Sequence, residues 1–463
     1  MSDRKHVALF FVCLICLSLP TLAQSPTTST WRAGVAKTKI TPDDWMWMSG
    51  YGSRDKPASG KLTDLWCKAL VLEDASHHRG VIISLDLVGI DRGMSQEITH
   101  RLEKHHALAR HQIAIFTSHT HTGPAVGTNL MAMLSWRLNA EQRRQIEDYT
   151  KRLIDRIVET VDQALRSMED ANLAWGVGSC NVAVNRRTNV EANVPRLRFE
   201  GQLQGPVDHD VPVLAVRSRE GKLRSVLFGY ACHATVLSSF EWSGDYPTFA
   251  QMELEEMYPD CIALFWAGCG ADQNPLPRRT VEIAKHYGRH LANSVEAVLL
   301  TSHMQRVEGG LSSVYAEIPL AFDSIPDRAS WEASLQSKDP YIVSRAKQIL
   351  DRWESEGPPS STYPYPISTW KLGDLQFIAL GGEVVVDYSL RFKNDGQAKT
   401  TWVAAYAHDV MAYIPSRRVL TEGGYEGGGA MVYYGLPAPW SPTVEEQIVR
   451  EVQRQSQELG FKP

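Results

Sequence analysis

Short runs of β-branched and aromatic residues alternate along this chain with longer stretches in which apolar residues recur every three or four positions. The short runs predict buried strands, and the longer stretches predict amphipathic helices. This alternation is typical of an α/β fold, so we predict a mixed β-sheet core flanked by helices in one large domain over residues 24–463. The predicted strands are, in order, 81–85, 113–116, 226–228, 262–266 and 375–380, and the clearest predicted helices span 146–165 and 281–299.

Polar side chains follow three of these strands, at the point where each strand ends. His119 and His121 follow the second predicted strand, His233 follows the third, and Glu383 follows the fifth. In open α/β sheets ligands bind beyond the carboxyl ends of the strands, so we expect these groups to converge. Two imidazoles and a carboxylate form a ligand set that suits Zn²⁺ and leaves one position open for water. Zinc at this edge would lower the pKa of that water toward about 7 and polarise a carbonyl group.

Each of these residues also has an ordinary structural interpretation. A single His-x-His pair is weak evidence for a metal, since a histidine after a strand is often a hydrogen-bonded core residue. Only the shared placement of the histidines and Glu383 favours a metal. Asp86 and Asp91, after the first predicted strand, either orient a ligand histidine or cap the next helix. The glycine-rich stretches 268–275 and 423–429 lack the order of a phosphate-binding loop and are predicted to be turns.

The first 23 residues have the pattern of a cleavable secretory signal, with a net-positive lead, an apolar run over 7–19 and small residues up to Ala23. We therefore expect an exported protein, secreted or held in a periplasm or cell envelope, that contacts a membrane only peripherally. Five cysteines remain after cleavage, which allows at most two disulfides, and we expect buried structural thiols. They are Cys67, Cys180, Cys232, Cys261 and Cys269.

The charge balance excludes one class of partner. The chain carries 48 Lys and Arg residues against 53 Asp and Glu residues, a net charge of −5. Such a chain offers no basic surface for a phosphate backbone, so we expect no nucleic-acid partner. The sequence predicts neither an oligomeric state nor a cysteine pairing.

One segment resembles the signature of a known family. Residues 117–124 read Thr-Ser-His-Thr-His-Thr-Gly-Pro, similar to the T-H-T-H-[ST]-G-P signature of the neutral/alkaline, non-lysosomal ceramidases. Further segments follow in that family's order, and the match covers most of residues 32–435. They are Ile40-Thr41-Pro42, Met48-Ser49-Gly50-Tyr51, Ser84-Leu85-Asp86, Asn185-Arg186, Ser243-Gly244-Asp245, Gly382-Glu383 and Tyr425-Glu426-Gly427.

The resemblance implies a zinc amidase acting on ceramide or on another N-acyl lipid or amine. Its metal ligands correspond in this sequence to His119, His233, Glu383 and Tyr413, and the tyrosine comes from the resemblance alone. The family positions that contact the scissile amide or its tetrahedral intermediate correspond to His121, Arg186 and Tyr425.

Two departures from the family pattern bear on the chemistry. Ceramidases carry G-D-x-S-P-N, whose serine has been proposed as a nucleophile, whereas this chain has Gln273 and Asn274 in that region. The sequence therefore excludes serine catalysis at this position and leaves metal-activated water, with Gln273 or Asn274 as a candidate oxyanion donor. The family's C-terminal β-sandwich domain has no counterpart after Gly435, so we expect other amides or esters to be substrates nearly as readily as ceramide.

We therefore predict a zinc-dependent hydrolase that cleaves a linear amide bond, in which Arg186 and Tyr425 stabilise the oxyanion and His121 moves the proton. Two alternatives remain open. One is a metal amidohydrolase built on a (β/α)₈ barrel, where a His-x-His pair also follows a strand. The other is a non-catalytic lipid- or carbohydrate-binding relative, motivated by the missing serine.

Overall fold

The computed structural model describes residues 31–301, 303–395 and 400–461. The predicted signal at residues 1–23 lies outside this range, so export remains a prediction. The strands are β1 Trp31–Lys39, β2 Gly60–Lys61, β3 Trp66–Asp74, β4 Arg79–Leu85, β5 Ile113–Thr117, β6 Glu169–Ser179, β7 Ala183–Asn185, β8 Asp210–Ser218, β9 Leu223–Tyr230, β10 Glu241–Trp242, β11 Ile262–Ala267, β12 Gln273–Pro275, β13 Gln305–Arg306, β14 Leu311–Ala321, β15 Thr362–Leu372, β16 Leu375–Leu380, β17 Glu383–Val384, β18 Thr401–Ala404 and β19 Tyr413–Ile414. The α-helices are α1 Arg92–His106, α2 Met131–Leu134, α3 Ala140–Arg166, α4 Val194–Phe199, α5 Asp245–Met257, α6 Val281–Leu300, α7 Arg328–Ser334, α8 Pro340–Glu356, α9 Val386–Asp395, α10 Arg417–Glu422, α11 Met431–Tyr434 and α12 Val444–Glu458.

A nine-stranded mixed sheet forms the centre of the molecule, as the sequence predicts. Its order is β11-β9-β8-β6-β1-β3-β4-β5, with β13 also paired to β6. The pairs β4–β5 and β9–β11 at the two edges are parallel, and the pairs between them are antiparallel. The (β/α)₈ alternative is therefore wrong, because that barrel requires a closed, all-parallel sheet.

Helices cover this sheet through the apolar stripes that the sequence predicts. Helix α3 packs against β1 and β3 with a stripe that includes Ile146, Leu153 and Ile157. Helix α6 packs against α5, β6 and β8 with a stripe that includes Leu291 and Val295. Both stripes repeat at helical spacing, so each helix buries one face and leaves the other to solvent.

A second sheet, of order β14-β15-β16-β18, packs against one face of the first one. Residues 405–408 follow β18 and join the two sheets, and we call this segment the clasp. Ala405 N donates to Ala267 O at 2.9 Å, at the end of β11, and His408 N donates to Ile115 O at 2.8 Å, within β5. The clasp thereby connects both edge strands of the first sheet to the second sheet.

Three local predictions differ from the structure. Residues 273–275 form β12 instead of a turn, because pairing with β7 outweighs the turn preference of Asn274 and Pro275. Residues 425–429 form one π-helical turn. Ser441 and Pro442 have the sequence pattern of an N-cap and a first helical residue, but the last helix begins at Val444. The two residues form the turn before it, where Ser441 O accepts from Val444 N at 3.0 Å.

The five cysteines of the described chain are free and buried, in agreement with structural thiols. Burial raises the pKa of the Cys67 and Cys261 thiols to about 12, so neither forms a thiolate readily. Across the described residues, no helix is both long enough and apolar enough to cross a bilayer.

Candidate metal centre and active site

His119 lies just after β5 in a conformation that fixes its ring. Its φ is +58°, a left-handed value that is costly for a residue with a Cβ and that is found at functional sites. Its Nδ1 lies 2.5 Å from Val88 O. Because a carbonyl oxygen can only accept, Nδ1 carries the proton and Nε2 presents a lone pair.

His233 and Glu383 reach the same point from the other strand ends. His233 follows β9, and its Nδ1 donates to Gly270 O at 2.8 Å, so its Nε2 is also left with a lone pair. Glu383 begins β17, directly after Gly382, whose φ of +73° turns the chain inward from β16. All three side chains are buried.

The ligand atoms of these residues form a compact group. His119 Nε2 lies 3.2 Å from His233 Nε2, and Glu383 Oε2 lies 3.1 Å from each of them. Burial would raise the pKa of Glu383, but the His119 and His233 rings lower it well below its ordinary value, so the carboxylate is charged. Burial lowers the pKa of His233 to about 4.

In the neutral rings both Nε2 atoms present lone pairs, which form a donor set for a cation together with the carboxylate oxygen. A tetrahedral zinc ion with bonds of about 2.0–2.1 Å keeps its ligand atoms about 3.3 Å apart, which fits the observed spacing. The donor set therefore fits a metal of this kind. The Nδ1 bonds of both rings to backbone carbonyls are also the contacts that orient metal-ligating histidines.

The structure also brings His121 into this group. Its Nε2 lies 3.1 Å from His119 Nε2, and the three histidines form a buried cluster able to hold a metal ion. Unlike the other two rings, however, its Nδ1 has no hydrogen-bond partner in the described chain. His121 also lines an open cavity, and Arg54 fixes its backbone by donating to His121 O at 2.9 Å.

Tyr413 and Arg186 lie on the cavity side of the group. Tyr413 begins β19, which pairs in parallel with β17, and its hydroxyl lies 3.4 Å from His233 Nε2. Arg186 Nη2 donates to this hydroxyl at 3.2 Å, and Arg186 Nε donates to Glu426 Oε1 at 2.7 Å. Burial would lower the pKa of Arg186, but Tyr413 and Glu426 raise it well above its ordinary value, so the guanidinium is charged.

Tyr425 faces the same cavity from the π-helical turn. Its ring lies 5.2 Å from that of Tyr413, and the Arg186 guanidinium lies 5.7 Å from the Tyr425 ring centre. Tyr425 is 47% exposed, so its hydroxyl can meet a bound molecule. All seven predicted site residues are therefore brought together around one point.

Four further candidates, two for oxyanion binding and two for orienting a histidine, make other contacts in the structure. The Gln273 side chain reaches toward Pro206 O and does not line the cavity, so it is not placed to serve as an oxyanion donor. Asn274 lines the cavity, but its Oδ1 accepts from Arg186 at 3.3 Å. Asp91 caps α1 by accepting from Met94 N. Asp86 accepts from Trp66 N, and backbone carbonyls orient the histidines instead.

Three further tyrosines contact the site and were not predicted. Tyr434 donates its hydroxyl to Glu383 Oε1, the carboxylate oxygen that faces away from the histidines. Tyr406, in the clasp, stacks on His119 with ring centres 4.2 Å apart. Tyr51 packs on His121 at 4.8 Å. Each contact joins distant segments, so no local pattern marks these tyrosines.

Comparison with known proteins points to one family. A protein-family model described as "Neutral/alkaline non-lysosomal ceramidase, N-terminal" matches residues 31–261. The neutral ceramidase of Pseudomonas aeruginosa is 25% identical over 244 residues, which cover 52% of this chain and 35% of that protein. The neutral ceramidase of Drosophila melanogaster is 24% identical over 243 residues, which cover 50% and 33%. The chain thus aligns with about a third of the length of these relatives.

Solved structures extend the likeness in fold. The crystal structure of the Pseudomonas aeruginosa neutral ceramidase superposes with a TM-score of 0.71 at 17% identity, over 93% of this chain and 74% of that one. A structure described as a ceramidase complexed with C2 gives a TM-score of 0.73 at 16% identity, over 93% and 75%. Through its residues 31–261, this chain belongs to the neutral/alkaline non-lysosomal ceramidase family.

Proposed function

We propose that this protein is a zinc-dependent hydrolase that cleaves a linear amide bond, with an N-acyl lipid or another N-acyl amine as substrate. The observation that supports this most is the convergence of His119 Nε2, His233 Nε2 and Glu383 Oε2 within 3.2 Å of one another, while the Nδ1 atoms of both rings contact backbone carbonyls. The group adjoins an open cavity of about 670 Å³, so a substrate can reach it.

The proposed metal ligands are His119, His233, Glu383 and the Tyr413 hydroxyl. His121 is the competing fourth ligand, since its Nε2 lies 3.1 Å from His119 Nε2. We assign it a different role because its Nδ1 lacks the carbonyl partner that orients the other two rings. Burial and Glu383 raise the pKa of the Tyr413 hydroxyl well above its ordinary value, and Arg186, which donates to that hydroxyl at 3.2 Å, opposes this shift.

A zinc ion at this position would supply Lewis-acid polarisation of the scissile carbonyl and a lowered pKa for a water molecule. The chain's own residues do the rest. Arg186 holds a fixed positive charge beside the cavity and stabilises the negative charge that develops on the carbonyl oxygen, and the Tyr425 hydroxyl donates to the same oxygen.

His121 moves the proton. Burial, together with the neighbouring His119 and His233 rings, lowers its pKa well below the ordinary value, so the ring is neutral at pH 7 and, once it has taken up a proton during the reaction, readily gives that proton up. From its place on the cavity wall it then passes the proton to the leaving amine. Atoms balance as in simple hydrolysis, in which amide and water give carboxylic acid and amine.

The proposal is tested by metal analysis combined with turnover of a fluorogenic N-acyl amide. We expect one zinc per chain, loss of turnover with a chelator and its return with Zn²⁺. His233→Ala is expected to lose the metal, whereas His121→Ala is expected to keep it and lose turnover. A His233→Ala protein with stoichiometric zinc would refute the ligand assignment, and no turnover across a panel of amides and esters would favour a non-catalytic binding protein.

A further inference from the structure

The cavity beside the metal centre has a lining that is unusual for a lipid site. Binding pockets of 300–1,000 Å³ are as a rule lined mainly by apolar side chains. Among the described residues that line this cavity, only Val190 and Leu276 have aliphatic side chains. A long acyl chain gains affinity by burying apolar area, and this wall offers little of it.

Charged residues take the place of apolar ones. Four arginines and three glutamates line the cavity, and most of them pair with one another. Glu191 pairs with Arg278 at 2.8 Å. Glu426 pairs with Arg186 and Arg187 at 2.7 and 2.6 Å. Glu422 also pairs with Arg187, at 3.0 Å, so every glutamate of the lining is neutralised by an arginine.

Arg279 is the one arginine of the described cavity lining that takes no part in these ion pairs. Across the described chain, no carboxylate lies within ion-pair distance of its guanidinium, which is exposed at the cavity wall. Its backbone has a φ of +100°, a costly value for an arginine, and is held by Arg279 N donating to Val236 O at 2.8 Å. Such an outlier points to a position fixed for a role.

The Tyr51 ring lies between the Arg279 side chain and His121. Its Nη1 donates to the Tyr51 hydroxyl at 3.4 Å, and its guanidinium lies 5.7 Å from the Tyr51 ring centre. That ring in turn packs on His121. A group bound by Arg279 is therefore separated from His121 by a single side chain, which suits a short molecule.

We propose that the substrate is a short, polar amide that carries a carboxylate, and that Arg279 binds this carboxylate while the amide lies at the metal centre. The proposal rests on the amide hydrolysis proposed above and narrows its substrate class. Guanidinium and carboxylate form paired, charge-assisted hydrogen bonds, so one exposed arginine can select the anion over a neutral isostere. The carboxylate can stand on the acyl side or on the amine side of the scissile bond.

The test compares matched amides with the metal-loaded protein. The panel contains N-acetyl amino acids, with the carboxylate on the amine side, and N-alkyl succinamates, with it on the acyl side. Each is paired with the compound in which a carboxamide replaces the carboxylate, and N-acylsphingosine serves as the long neutral amide. We expect kcat/KM for one charged series to exceed that of its neutral pair about tenfold, which corresponds to one charge-assisted hydrogen bond. The series in which the charged compound is cleaved faster shows on which side of the scissile bond the carboxylate is recognised.

Variants assign the preference to Arg279. Arg279→Gln is expected to lower the charged-to-neutral ratio about tenfold, and Arg279→Lys to restore part of it. Arg144→Gln removes the same charge from the exposed surface of α3 and is expected to leave the ratio unchanged. Faster cleavage of N-acylsphingosine than of every short amide, or an unchanged ratio in Arg279→Gln, would overturn the inference and leave amide hydrolysis standing.

A binding measurement separates this inference from the proposed function. If the metal-loaded protein cleaves no amide, amide hydrolysis fails, and calorimetric titration with the same carboxylates and carboxamides still decides the role of Arg279. Tighter binding of a carboxylate that weakens about tenfold in Arg279→Gln would support it. Equal binding of carboxylate and carboxamide would overturn it.

Discussion

Tyr434→Phe tests whether the metal centre depends on a residue that is not itself a ligand. The Tyr434 hydroxyl donates to Glu383 Oε1, while Oε2 faces the two histidines. Because the Glu383 side chain is only 3% exposed, water cannot replace the lost donor, and a hydrogen bond to a buried charge contributes about 1.5–3 kcal/mol. Removal of such an outer contact lowers metal affinity 10–100-fold, so we expect a zinc Kd weaker by that factor.

The assay is competition for zinc with a chelator of known affinity, followed spectroscopically. Tyr433→Phe is the matched control, since its ring packs on Tyr341 and Tyr425 without contacting Glu383. This control is expected to bind zinc as the unmodified protein does. If Tyr434→Phe binds zinc with unchanged affinity, the reasoning that the hydrogen bond from Tyr434 to Oε1 orients the Glu383 carboxylate for the metal is refuted.

Three further predictions follow from the same contacts. Removal of the metal is expected to lower Tm, since a ligand at a thousandfold excess over its Kd stabilises the folded state by about 4 kcal/mol, and an unchanged calorimetric Tm would count against a buried site. Gly50→Ala is expected to lower kcat about 100-fold with zinc content intact, because at a φ of +97° its Cβ would lie 2.6 Å from His121 Cγ, and loss of zinc would instead make His121 a ligand. Burial raises the pKa of Asp409 from 3.8 to about 7, so the stability that its bound proton provides is complete below about pH 4 and is lost as the pH rises through about 7. Asp409→Asn is therefore expected to gain up to about 4 kcal/mol over the unmodified protein at pH 8 and little at pH 4, and parallel pH profiles of Tm would contradict this.

The sequence predicts the parts of the site that depend on local pattern. Continuous apolar runs mark the buried strands, and the carboxyl end of a strand is a fixed place in the fold, so His119, His233 and Glu383 can be found from their positions alone. Tyr413 begins a two-residue strand after a short loop, and only the family resemblance indicates it. The π-helical turn at residues 425–429 has no hydrophobic period to reveal it.

The contacts that orient the site are long-range, and no periodicity encodes them. Tyr434 meets Glu383, and Tyr406 meets His119, only after the second sheet has docked on the first. The strand β12 is another case, since its pairing with β7 outweighs the turn preference of its residues. The unpaired charge of Arg279 likewise becomes visible only when its neighbours are known.

The order of the four proposed ligands along the chain has a consequence for folding during synthesis. Two of the proposed ligands follow strands of the large sheet, and the other two lie at positions 383 and 413, beyond the small sheet's β16 and β18. A chain that folds from its amino terminus during synthesis would therefore have only two of the four proposed metal ligands until residue 383 has left the ribosome. If the proposed function holds, binding of the metal ion would be a late step of folding, and a truncated copy of the chain would be inactive.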